Sequence, residues 1–159
     1  MAEYSANALQ IIEPGAQAIF TETPVPSTNG LIYHRDESGL FRLASASRIT
    51  GRIFGGCACF RRMLQSVYGT DFHANIEIPE GGTVGPISLA IAIDGTIDPS
   101  STMIFTPAAL EQFGNVGAGI EILVPAICGC ESVSVVNTST QAIGMQNANL
   151  RLFYRGITY

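Results

Sequence analysis

Four cysteines are the residues best suited to chemistry in this 159-residue chain, and they fall in two Cys-x-Cys pairs, Cys57/Cys59 and Cys128/Cys130. In a strand, side chains two residues apart share a face, so each pair presents two sulfurs together. Four thiolates can hold a structural zinc ion, although zinc ligands usually take longer spacings that bend around the metal. The other readings are disulfides within or between subunits and buried reduced thiols, and a reducing cytoplasm favours the last. His34 and His73 stand at no metal-ligand spacing with each other or with the cysteines. Ser45, Ser47 and Ser88 sit in no nucleophile elbow, and no cysteine carries the surroundings of a catalytic nucleophile. Asp94 and Asp98 bracket Gly95-Thr96-Ile97 and are candidates for calcium. That ion wants six to eight oxygens, so two loop aspartates read more simply as turn formers. The glycines from Gly114 to Gly119 lack the strand-to-helix setting of a dinucleotide fingerprint. Asn137-Thr138-Ser139 matches a glycosylation sequon. The residues predict no catalytic site, no enzyme and no cofactor.

Charge narrows the classes further. All eight basic residues are arginine, against 13 acids, for a net charge of −5. A nucleic-acid binder shows a basic stripe, whereas here the only adjacent pair is Arg61-Arg62, which argues against direct nucleic-acid contact. Guanidinium is weakly hydrated and pairs carboxylates bidentately, which suits buried or interfacial positions; compositional bias of the source genome is the plainer explanation. The chain is 47% hydrophobic and only 13% charged, against roughly 25% charged in an average soluble domain. That excludes disorder. No apolar run approaches the ~18 residues of a membrane helix, so no membrane association is expected. The opening Met1-Ala2-Glu3-Tyr4-Ser5 carries no basic and apolar leader pattern. A surface this poor in charge is what burial against other subunits produces.

The elements that must position these residues read as strands. Short runs rich in β-branched and aromatic residues recur between Gly, Pro, Asn and Asp signals. They are Ala16 to Glu22, closed by Pro24 and Pro26, then Leu31–His34 and Leu40–Leu43 around a glycine-bearing hairpin loop. Cys57 to Leu64 and Phe72 to Ile78 follow, with Tyr68-Gly69-Thr70-Asp71 read as a turn between them. In Ile87–Ile93 large apolar residues alternate with small ones, which predicts one core face and one face packed against something flat and close. Thr102–Thr106, Val116–Val124, Ser132–Val136 and a long final strand from about Ala142 to Arg155 complete the set. In that last strand Leu150, Leu152 and Tyr154 share one face, opposite Asn149, Arg151, Phe153 and Arg155. Only Pro107–Phe113, with Thr106 as N-cap and Pro107 in the first turn, predicts a helix. Many strands without crossover helices exclude a parallel sheet and predict an all-β, antiparallel two-sheet jelly-roll sandwich. Residues 15–159 form that single domain, and residues 1–14 read as a projecting N-terminal arm.

Several stretches resemble small virion proteins of Firmicutes phages and prophages. They are Asn7–Gln10, Glu13-Pro14-Gly15, Phe20–Pro24, the hairpin Tyr33–Phe41, Ile76–Thr83, Gly85–Ile91 and Ile93-Asp94-Gly95. Thr106–Ala109, Asn137–Gln141 and Gln146–Leu150 continue the likeness, whereas Arg48 to Tyr68 departs from it. The C-terminal two-thirds is also similar to the tumour-necrosis-factor and complement-globular-head jelly rolls. That resemblance implies a tight homotrimer, with Ile87, Leu89, Ile91, Leu150, Leu152 and Tyr154 as core or trimer-interface residues. Together the likenesses imply a non-enzymatic capsid decoration or head-fibre protein, made in the host cytoplasm and placed on the capsid exterior. Its implied partners are its own copies and the major capsid protein, with residues 1–14 as the capsid contact. The alternative is a trimeric tip of a tail fibre or bacterial surface filament that grips a glycan or receptor through loops Ile97–Ser101 and Asn137–Gln141.

Overall fold

The computed structural model describes residues 1–35, 37–46, 65–125 and 130–158. In chain order the strands are β1 (Ala2–Ala6), β2 (Gln10–Ile12), β3 (Glu22–Val25), β4 (Ile32–His34), β5 (Phe41–Ala44), β6 (Gln65–Glu77) and β7 (Ile87–Ile93). Then come β8 (Thr96–Ile97), a 3-10 turn over Pro99–Ser101, β9 (Met103–Phe105), β10 (Gly114–Ala118), β11 (Glu121–Pro125), β12 (Cys130–Asn137) and β13 (Ile143–Thr158). They form two antiparallel sheets. The large one runs β10-β6-β13-β1-β3, with β11 also on β6 and β2 on β13; the small one runs β4-β5-β12-β7-β8, with β9 also on β7. No helix among the described residues is long and apolar enough to cross a membrane.

Period-two alternation puts one face of each sheet into a shared core. Ile87, Leu89 and Ile91 of the small sheet meet Tyr68, Phe72, Ile76, Leu150 and Leu152 of the large one, all 0–1% exposed. Each such side chain contributes about 1.5–3 kcal/mol by leaving water. The rings are also paired, Phe20 edge-on to Phe41 at 5.2 Å and Tyr4 tilted against Phe41 at 4.7 Å. Because Ile87, Leu89, Ile91, Leu150 and Leu152 are covered within a single chain, none of them can be a trimer contact. Tyr154 is half-buried and packs on Tyr68 at 5.5 Å.

Other expectations need correction. Residues 1–14 are no arm set apart from the domain. Tyr4 opposes Leu150 and Ala6 opposes Ala148, β1 lies between β13 and β3, and Ala2, Tyr4, Ala6 and Ile12 are buried. The Ala2/Tyr4/Ala6 alternation is a strand pattern in which two of the inward residues are small.

Tyr68–Asp71 is no turn but the middle of β6. Gly69 serves there as the one residue that can sit beneath the Phe153 ring, since any Cβ would collide with it. Pro24 is held within β3, which tolerates it because that strand lies at a sheet edge. The Val116–Val124 run is split into β10 and β11 at Gly119-Ile120. Thr70 clips the break: its N–H and its hydroxyl both donate to the Ile120 carbonyl, and the same hydroxyl accepts from the Ile120 N–H.

Pro107–Phe113 is a turn, because Glu111 takes φ +58° and the Gln112 side chain accepts from the Ala108 and Ala109 N–H groups in place of helical carbonyls. The expected strand Cys57–Leu64 lies outside the described residues. Asp94-Gly95 ends β7 as expected, but the turn is these two residues alone, with φ +48° and +77° between the paired residues Ile93 and Thr96, and Thr96–Ile97 is already strand.

Leu152→Ala is expected to lower unfolding free energy by about 2–5 kcal/mol in denaturant titration. Ile91→Asp should leave no cooperatively folded protein, since it buries an unpaired charge. A loss under about 1 kcal/mol for the first, or a cooperative melt for the second, would place the core elsewhere.

Candidate functional site

The outward face of the large sheet is built by the residues between the core positions, and the ladder registers fix its layout. Antiparallel partners directly opposite one another share a face. One row is therefore Gly117, His73, Asn149 and Ser5; the next is Asp71, Arg151 and Glu3; then Glu121, Gly69 and Phe153; and last Leu123 beside Val67. The face thus passes from polar to charged to apolar along the strands. Asn149 donates to Glu3 at 2.7 Å and Arg151 pairs with the same carboxylate at 3.8 Å. Arg155 binds Glu121 at 2.6 Å and lies 5.1 Å from the Phe153 ring centre. Both members of that second pair are about half exposed, so it contributes little to stability.

A depression of about 390 Å³ on this face is lined by Thr70, Asp71, Gly119, Ile120, Glu121, Phe153 and Arg155. Leu123, 47% exposed, stands beside it in the next row. The Asn149 side-chain oxygen is buried and has no hydrogen-bond partner among the described residues. Phe153 and Arg155 fall on the face opposite Leu150 and Leu152, as the alternation predicts, yet nothing in the residues alone assigned them a role; the available signal was an aromatic between two arginines at alternate positions near the end of the last strand.

The candidate chemistry of the sequence does not converge. Cys57, Cys59 and Cys128 lie outside the described residues, and Cys130 is exposed at the start of β12 opposite Ala44. Among the described residues no three His, Cys, Asp or Glu side chains come together in a group that could hold a metal ion. His34 is stacked on Phe41 at 4.4 Å with its Nε2 bonded to the Ser38 carbonyl at 3.0 Å, a hairpin-closing role. His73 is exposed on the large sheet.

Asp94 and Asp98 serve separate turns. Asp98 caps the 3-10 turn, accepting from the Ser100 N–H and hydroxyl, while Asp94 accepts from the Ser132 N–H at 2.6 Å and hydroxyl at 2.9 Å. The sequon Asn137 is 1% exposed and spends its amide hydrogens on the Ile12 and Gln141 carbonyls, so no glycan can be attached there without unpacking it. Ser139 bonds the Ser88 backbone and Gln141 the Thr83 backbone. The two loops considered for glycan contact therefore use their polar groups within the chain.

No protein-family model matches the sequence, and no curated protein sequence matches it. Among solved structures the chain superposes on Eiger TNF from S. frugiperda with a TM-score of 0.62 and 10% identity, over 98% of this chain and 91% of that one. It also overlaps pika GITRL at a TM-score of 0.42 and 9% identity, over 97% and 96% of the two chains. A family 35 carbohydrate binding module from an environmental isolate gives 0.39 and 13% identity, over 99% and 96%. Two antiparallel sheets and the superposition on Eiger TNF define the class: a tumour-necrosis-factor-like jelly roll.

One carboxyl pair beside β12 has a measurable consequence. A hydrogen bond to Asp94, then burial, then repulsion from the Asp94 charge push Glu131 from an ordinary 4.5 to about 7, while the Glu131 and Ser132 bonds lower Asp94. Protonated Glu131 donates to the Asp94 carboxylate. Between these two pH values the folded chain keeps a proton that the unfolded chain has released, so stability falls as pH rises through the window. Burial of Glu77 and the nearby Glu111 charge raise Glu77 and act in the same direction. Asp94 acts oppositely, its share being lost below an ordinary value of 3.8. Melting temperature should fall from pH about 4.5 to about 7, and Glu131→Gln should flatten the decline. A melting temperature that climbs across this range in both proteins contradicts the pairing.

Proposed function

We propose that the protein is a non-enzymatic structural protein of a phage virion: a homotrimeric capsid decoration or head-fibre protein whose subunits meet through the outward face of the large sheet. The trimer and the virion role extend the sequence resemblances. The observation that carries the choice of face is its composition. Phe153, Leu123, Arg151 and Arg155 stand together on a flat sheet surface of a chain with 13% charged residues, and aromatic residues and arginine are the types that interfaces concentrate.

Assembly works by burial. An obligate interface removes ~2,000 Å² or more from water, and the glycine-lined depression beside Phe153 gives a partner side chain a place to seat. Part of the remaining surface holds the major capsid protein, a role residues 1–14 cannot fill as a separate arm because they belong to the sheet.

Leu123→Asp and Phe153→Ser should sediment as folded monomers in analytical ultracentrifugation. Ile104→Asp, which changes a residue 67% exposed on the other sheet, should sediment like the unmodified chain. If all three assemble alike, the contact face is elsewhere. Immunogold labelling of intact particles tests the location, and particles that carry no label on the capsid exterior contradict the virion role.

A further inference from the structure

The opposite side of the sandwich carries a second depression of about 400 Å³ at the edge of the small sheet, lined by Tyr33, Arg35, Ser38, Leu40 and Arg42. The hairpin register explains its geometry. Tyr33 stands directly across from Arg42, and continuing that register sets Arg35 across from Leu40, all four on the outward face. Tyr33 is 63% exposed, although a tyrosine ordinarily buries most of its ring. Among the described residues Arg151 and Arg155 pair with Glu3 and Glu121, while Arg35 and Arg42 have no carboxylate within 4 Å. Neither guanidinium lies over the Tyr33 ring, in contrast to Arg155 over Phe153. Among the described residues two guanidinium groups without an ion pair thus stand beside an open aromatic face.

We infer that this depression binds an acidic saccharide, a sugar ring carrying a carboxylate or phosphate. Stacking on the aromatic face recognises the C–H surface of the ring, and the paired guanidinium groups recognise the anion in the bidentate geometry that carboxylate and phosphate share. Ser38 adds a hydroxyl at the rim, and Leu40 supplies apolar floor. The site lies on the opposite sheet from the proposed subunit contact, so it stands whether or not that contact is correct, and a trimer presents three copies of it outward.

Isothermal titration calorimetry of the full chain tests it with four probes: tri-galacturonate, glucose 6-phosphate, cellotriose and inorganic phosphate. Binding of either charged sugar, weakened about tenfold or more by Tyr33→Ala and by Arg42→Gln and also weakened by raised salt, supports the site. Which of the two binds assigns the anion. Far-UV circular dichroism of both variants checks that the exposed substitutions leave the fold intact, and Arg35→Gln is the second arginine variant should Arg42→Gln disturb the ladder. The inference is overturned if neither charged sugar binds. It is equally overturned if cellotriose or inorganic phosphate binds as tightly, or if the folded variants bind within about twofold of the unmodified chain.

Discussion

The long antiparallel ladder between β6 and β13 is the constraint on which the rest of the molecule depends. It runs from Gly144 opposite Glu77 to Thr158 opposite Gln65, with register shifts at Gln146/Asn149 and Tyr154/Gly156. Within it the inner positions Tyr68, Phe72, Ile76, Leu150 and Leu152 make the large sheet's share of the core. A slip of one residue would expose all of them at once. The same register sets the opposite face, placing Phe153 over Gly69 and Arg151 beside Asp71 and Glu3. Core and outward face are therefore two consequences of one pairing, and neither can change without the other.

Much of this was legible in the residues. The alternation of Ile87–Ile93, the glycine-bearing hairpin after His34, the Asp94-Gly95 turn and the long last strand all carried period-two patterning or turn chemistry strong enough to place them. The errors have physical reasons. Ala2, Tyr4 and Ala6 alternate inward, but two of the three are too small to mark a core strand, so β1 read as an arm. Gly69 read as a turn because its need for φ freedom is usual, whereas its use here is room for a ring. Pro107–Phe113 had a helix start and suitable spacing, yet the Gln112 side chain competes for the first N–H groups and bends the segment into a turn. Core and interface positions could not be separated at Ile87, Leu89 and Ile91, since periodicity reports which residues share a face and not what covers it.

The two outer faces differ in chemistry. On the large sheet the apolar end near Leu123 and Phe153 and the pairs Arg151–Glu3 and Arg155–Glu121 suit contact with another copy of the chain. On the small sheet Tyr33, Arg35 and Arg42 line the second depression. A jelly roll is well suited to this separation, because its inward side chains complete the core and leave both outer surfaces to be specified independently. Under the proposed assembly the scarcity of charge in the chain follows from burial between subunits, and among the described residues Arg35 and Arg42 stand outside the ion pairs.

Self-association is read most simply from the mass of the unmodified chain in solution. Multi-angle light scattering at micromolar concentration should report about 50 kDa, three chains of 16.8 kDa in a closed cyclic assembly. A single species at the mass of one chain under the same conditions would contradict the account.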